Sequence, residues 1–259
     1  MKRFLLLALF LLLPGRWLAA EDLFEIKPVA DGVYAAIAKP AYRVNCNAAI
    51  ILLEDGVLVV DTHSKPSAAR ALIALIKKLT DKPVKYVVNT HFHYDHYQGN
   101  EAYPSAWPAG IEIISSEATR ANIQRLGIPR IKNEIVSMPQ EIASLKSELE
   151  KAANAEKKEA IRKNLIQAEA YLAELMTMQV TLPTMTFDRS LILHRNARTV
   201  EILWLGRAHT DGDVWVFLPK EKVLVTGMRF TAGLPSWATA IPMTGSRRWT
   251  PPRNWISTT

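Results

Sequence analysis

The stretch Thr90-His91-Phe92-His93-Tyr94-Asp95-His96 decides how this chain is read. Three of the six histidines in the sequence fall within six residues there, next to a carboxylate. Imidazole and carboxylate are the groups that bind Zn²⁺ outside thiolate sites. Residues two apart on an extended segment point the same way, so His91 and His93 can grip one ion. A turn after them lets Asp95 and His96 face a second position, and Gly99-Asn100 closes the loop.

The flanking sequence sets this cluster at a strand end. Val84-Lys85-Tyr86-Val87-Val88 reads as a buried strand running into His91. Upstream, Gly32 to Ala38, Ala48 to Leu53 and Val57 to Val60 read as strands, with Glu54-Asp55-Gly56 as a hairpin turn. Ser67 to Leu79 has apolar residues at helical spacing and lysines near its end. Ile111 to Ser115 is a further strand. After residue 190 strands resume at Leu191-Ile192-Leu193, Val200 to Leu203, Val214 to Phe217 and Val223-Leu224-Val225. Strands alternating with helices give an α/β or layered α+β class. Residues 139–178 place Ile142, Leu145, Leu149, Ile161, Leu165, Leu172 and Leu175 at helical spacing among Glu, Lys and Ala. They predict a helical insertion, one long helix or a hairpin breaking near Ala155-Glu156-Lys157.

His91-Phe92-His93-Tyr94-Asp95-His96 resembles the HxHxDH signature of the metallo-β-lactamase superfamily. Val59-Val60-Asp61-Thr62 is similar to the family strand whose Asp braces the metal loop. Gly206-Arg207-Ala208-His209-Thr210-Asp211-Gly212-Asp213 resembles the segment carrying a further histidine, and Leu218-Pro219 to Thr226-Gly227 the hairpin after it. The resemblance runs over roughly residues 28–240. It implies an α/β fold, the four-layer αββα metallo-β-lactamase sandwich, occupying 21–259 with metals at one edge. It also implies that His91, His93 and His209 hold a first zinc and that Asp95 and His96 contribute to a second. Asp95 is implied to orient the nucleophile or shuttle its proton, with Asp61 and Asp213 steadying the ligands. The implied activity is zinc-dependent hydrolysis of a carbonyl substrate, first a β-lactam, alternatively a lactone or a thioester. Two zinc ions are expected from the family.

The chain departs from that pattern after Gly227. The family places a metal-bridging Asp where this sequence has Met228, and no histidine follows His209. The second site therefore holds two ligands, and one zinc fits the chain as written better than two. The tail 229–259 is atypical, truncated or frame-disrupted, and a one-base shift of the codons for Met228-Arg229-Phe230 can read Asp-Ala-Leu. The closing elements of the sandwich are expected to be missing. A non-catalytic product with at most one zinc is the consequent alternative.

The remaining histidines read otherwise, His63 as a loop residue and His194 as a surface one. Tyr94, Tyr97 and Trp107 read equally as pocket walls or core aromatics. Cys46, the single cysteine, reads as a small buried residue.

Net charge is +7, yet residues 1–20 carry +3 and 229–259 carry +4, so the middle is neutral. That distribution argues against a nucleic-acid partner. Lys2-Arg3, the apolar run Phe4 to Leu13 and Leu18-Ala19-Ala20 have the layout of a cleaved export signal over 1–20. The expectation is a periplasmic or secreted protein, free of the membrane after cleavage, acting on a small-molecule substrate. The sequence leaves the oligomeric state open.

Overall fold

A computed structural model describes residues 23–39 and 46–227, together with the backbone of 254–257. The proposed export signal, Met228 and most of the tail lie outside the described residues.

Seven strands form the first sheet in chain order: β1 (Phe24–Ala30), β2 (Val33–Ala38), β3 (Ala48–Leu52), β4 (Val57–Val60), β5 (Val84–Val88), β6 (Glu112–Ser116) and β7 (Met185–Phe187). Pairing is antiparallel from β1 to β4 and parallel from β4 to β7. The second sheet holds β8 (Ser190–Arg195), β9 (Arg198–Leu203), β10 (Trp215–Leu218), β11 (Val223–Thr226) and β12 (Asn254–Ser257). Its neighbours are antiparallel except for β12, which runs parallel to β11.

Successive strand residues point to opposite faces, and both faces of the first sheet are covered. On β3 and β4 this sends Ala48, Ile50, Val57 and Val59 outward, against Ala68, Leu72 and Ile76 of α1 (Pro66–Leu79). Ala49, Ile51, Leu58 and Val60 face inward, against Val200, Ile202, Val216 and Val225 of the second sheet. That is why these strands read as unbroken apolar runs. The Arg198 side chain ties the sheets together, donating to the carbonyls of Asp31 and Leu52 and pairing with Glu221 at 2.9 Å.

The expected layers are therefore present as helix, sheet and sheet, and the described elements after β7 are all strands. Two sequence expectations need correcting. The closing elements are not wholly missing, because Asn254–Ser257 extends the second sheet as β12. The helical insertion is a hairpin that begins well before residue 139. It runs through α4 (Glu117–Asn122), a single π-helical turn (Ile123–Gly127), α5 (Ile128–Lys151) and α6 (Ala155–Thr177) after two short helices, α2 (Tyr94–Tyr97) and α3 (Ala102–Ala106). Pro139, the first residue of the expected insertion, lies inside α5. The break falls at Ala152 to Asn154, where the Asn154 side chain accepts from the Lys157 N–H at 2.8 Å and caps α6. Ile131, Met138, Ile142, Leu165, Ala168 and Leu175 form the hairpin's own apolar core.

The far helix of the hairpin, α6, is fastened to the sandwich by two side chains. The Glu174 carboxylate accepts from the Ser67 N–H at 2.8 Å and from the Ser67 hydroxyl at 2.6 Å, closing the first turn of α1. The Tyr171 hydroxyl donates to Gln98 at 3.1 Å.

Candidate metal centre

β4 and β5 lie side by side and parallel, so their C-terminal ends open at the same edge of the sheet. Asp61 follows the first and Asn89 to His96 the second. Asp61 is fully buried with φ of 64°, a left-handed conformation that is strained for a residue with a Cβ. Its surroundings over-determine it. One carboxylate oxygen accepts from the Thr90 N–H at 2.8 Å, and the other from the Thr90 hydroxyl at 2.8 Å. His96 Nδ1 lies 2.7 Å from the second oxygen. The carboxylate thus fixes the loop backbone and the ring of His96 together.

A second layer of buried hydrogen bonds holds the turn. The Asn89 amide donates to the carbonyl of His96 at 2.9 Å and exchanges bonds with Asn100. The Thr62 hydroxyl donates to Asn100 at 2.9 Å. Gly99 is required here: a Cβ on it would stand 1.9 Å from the Thr62 carbonyl oxygen. At Gly227 a Cβ would meet the Thr90 hydroxyl at 2.2 Å, so the chain leaving β11 passes the loop at contact distance.

His91, His93 and His209 converge on one point. Their three ligand atoms lie within 4.8 Å of one another, and His209 Nε2 is 3.0 Å from His93 Nδ1. His91 is fully buried, and its Nε2 is an orphan, buried without a hydrogen-bond partner among the described residues. An unpaired buried imidazole nitrogen is costly unless something binds it. Burial and the neighbouring rings of His96, His93 and His209 hold the His91 pKa far below the usual histidine range. Burial, followed by His209, lowers that of His93. Neutral imidazoles are the form that coordinates a metal. The donor set fits a borderline cation such as Zn²⁺.

Asp95 and His96 stand beside this group, with Asp95 Oδ2 3.4 Å from His96 Nε2. Burial alone would raise the Asp95 pKa, but the bond to His96, the charge of that ring, a backbone hydrogen bond and His93 together outweigh it, and the net shift is downward. Burial alone would lower the His96 pKa, and the Asp61 and Asp95 carboxylates outweigh that, raising it to about 10. The Asp95 carboxylate beside His96 Nε2 makes this a position favourable to positive charge, as a second cation would need.

Asp213 does not touch a metal-facing histidine. It accepts from the Thr210 N–H and hydroxyl, and so shapes the loop that carries His209. The same loop is pinned from outside by the Ser116 hydroxyl, which donates to the Gly212 carbonyl at 2.6 Å, and by the Asn122 amide on Asp211.

His63 is a loop residue, as expected, but it is fully buried under the site. Its Nδ1 lies 3.1 Å from the Cys46 carbonyl, and burial lowers its pKa to about 3. Cys46 is buried as expected, and its thiol donates to the Asp95 carbonyl at 2.7 Å. His194 is exposed. Trp107 packs on the first sheet's outer core under Lys77 and is no pocket wall. Tyr94 and Tyr97 line a cavity of about 440 Å³ beside the histidines, with Phe92, Leu126 and Arg130. Asn89 and Gln98 carry no motif, and their roles are not legible in the sequence.

Stacked sheets with a histidine triad and a carboxylate at one edge define an α/β protein built to hold a metal ion. The sequence model of the metallo-beta-lactamase superfamily matches residues 41–163. Over that stretch, a little under half of its length, the chain is similar to that superfamily of metallo-hydrolases. A solved metallo-beta-lactamase from Pontibacter korlensis is similar in fold, with TM-score 0.54 and 18% identity over 81% of this chain and 74% of its own. The stereoselective inverting sec-alkylsulfatase Pisa1 from a Pseudomonas species gives TM-score 0.53 and 16% identity, over 79% of this chain and 31% of its own. A linear primary-alkylsulfatase from Pseudomonas sp. (strain ATCC 19151) is 41% identical over 51 residues, which is 20% of this chain. That match spans 10% of the curated relative's length.

Proposed function

We propose that this protein is an exported zinc hydrolase acting on ester-type bonds, with sulfate esters of alkyl alcohols as its first substrate class. The observation that carries a metal-dependent activity is the orphaned Nε2 of His91, buried where His93 and His209 converge. His91, His93 and His209 would hold one zinc, and Asp95 with His96 would contribute to a second. Bound zinc supplies a lowered pKa for water and polarises the bond under attack. The protein's own part is to position and to move a proton. Asp95, kept ionised by His96, takes the proton of the attacking water; Asp61 holds His96 in register; Asp213 shapes the His209 loop.

The sulfate-ester preference is supported by the local identity to a linear primary-alkylsulfatase and by the cavity beside the histidines, part of whose wall is Phe92 and Leu126. A β-lactam is the second reading, favoured by the fold likeness to a metallo-beta-lactamase. Lactones and thioesters stand behind both. Export rests on the charged and apolar layout of residues 1–20.

The test uses the full chain, purified from the periplasmic fraction and loaded with zinc. Octyl sulfate and the chromogenic β-lactam nitrocefin are compared with and without chelator. Chelator-sensitive sulfate release faster than nitrocefin turnover is expected. Nitrocefin turnover alone would establish the second reading, and turnover of neither substrate would overturn both and leave the lactone and thioester readings.

A further inference from the structure

The cavity of about 440 Å³ has one wall in the metal loop and the other in the helical hairpin. Its size is that of a small-molecule site. His93 belongs to both the metal cluster and this cavity, and Asp95 lines it too, so the cavity opens directly onto the reacting centre. Facing them is the π-helical turn Ile123–Gly127, an irregularity frequent at functional sites. The turn presents Leu126, a large apolar residue left 44% exposed. Gly127 follows it, and a Cβ there would stand 2.4 Å from the Tyr97 hydroxyl oxygen. The glycine therefore keeps the turn close against Tyr97.

Arg130, the cationic side chain on the cavity wall, is already engaged. It pairs with Glu134 at 2.6 Å and lies over the Tyr94 ring at 4.0 Å. Its charge is balanced and its plane is stacked, so it closes the rim as a flat surface. Phe92, Tyr94 and Leu126 supply an apolar body. That part of the wall suits an aliphatic group, while His93 and Asp95 on the same lining would face the polar scissile end.

We infer that this cavity is the subsite for the alkyl part of the substrate, and that Leu126, presented by the π-turn of the hairpin, sets its preference for chain length. The inference rests on the ester-hydrolase reading only for the word substrate; an alkyl subsite is testable without turnover.

Zinc-loaded full chain is titrated calorimetrically with butan-1-ol and octan-1-ol, then with butanesulfonate and octanesulfonate. The octyl compounds are expected to bind at least about tenfold more tightly, since each buried methylene contributes about 0.8 kcal/mol. Leu126→Asp is expected to cut that ratio to below about threefold while the metal content stays unchanged. Val136→Ala, at an exposed hairpin position away from the cavity, should leave it intact. An octyl-to-butyl ratio near one in the unmodified protein, or an undiminished ratio in Leu126→Asp with metal retained, would overturn the subsite. If Leu126→Asp loses metal, Leu126→Ala is read in its place by the same criterion. A chain-length preference without turnover of any ester would keep the subsite and remove the ester-hydrolase reading.

Discussion

The metal loop and the helical hairpin meet at the same cavity but are built in opposite ways. The loop is buried, polar and held by short hydrogen bonds from Asp61, Asn89, Thr62 and Asn100. The hairpin has its own apolar core and exposed outer faces; its long helices are tied to the sandwich by Glu174 on Ser67 and Tyr171 on Gln98, and its base by Asn122 on Asp211. Reacting groups need fixed geometry, and buried hydrogen bonds in a low-dielectric interior supply it. The long helices pack mainly on each other, so their outer faces can vary in shape with little effect on the buried loop.

Removing a metal-facing histidine tests that division most severely. His209 is exposed, so His209→Ala should fold normally, lose metal and lower turnover by about 1,000-fold, as the loss of several kcal/mol of metal stabilisation requires. Wild-type metal content measured by atomic absorption would contradict the triad.

Asp61→Ala removes the buried carboxylate that His96 and Thr90 share and should cost about 3–5 kcal/mol in denaturant unfolding. A loss below about 1 kcal/mol would mean that the loop is held by other contacts.

Gly99→Ala drives a methyl into the Thr62 carbonyl, and a cost of about 1–3 kcal/mol is expected in the same assay. An unchanged midpoint would show that the turn can relax.

His63 sets a pH dependence. Folding lowers its pKa from 6.5 to about 3, so the unfolded chain binds a proton that the native state refuses. Its contribution is intact above about pH 6.5 and is lost as the pH falls toward 3. Stability plotted against pH should therefore slope less steeply over that window in His63→Asn, by up to one proton. Superimposable slopes would dismiss His63 as a source.

The smallest effect belongs to the hairpin. Glu174→Ala removes the closure of α1 and one tie, with an expected loss of about 1 kcal/mol. Faster hydrogen exchange should be confined to α6 and the start of α1. Exchange spreading into the metal loop would erase the distinction between the two regions.

Much of the sandwich and the metal centre is legible in the amino-acid sequence. The apolar runs at Ala48–Leu52 and Val57–Val60 identify strands covered on both faces, and the histidine spacing identifies the cluster. The hairpin's start is not legible: the expected insertion begins at Pro139, whereas the helical course begins at Glu117 and passes through a π-turn. His63 has no periodic or motif context, so its burial against Cys46 cannot be read locally.

The sequence by itself determined the layered α/β class and the residues fit to hold a metal, because periodicity and ligand chemistry are local properties. Only the tertiary structure decided which atoms face each other. Bringing His209 to His93, Gly227 to Thr90 and Leu126 to the rim of the same cavity joins segments far apart in the chain. Their approach depends on how two sheets and a hairpin pack, and packing is a property of the whole fold.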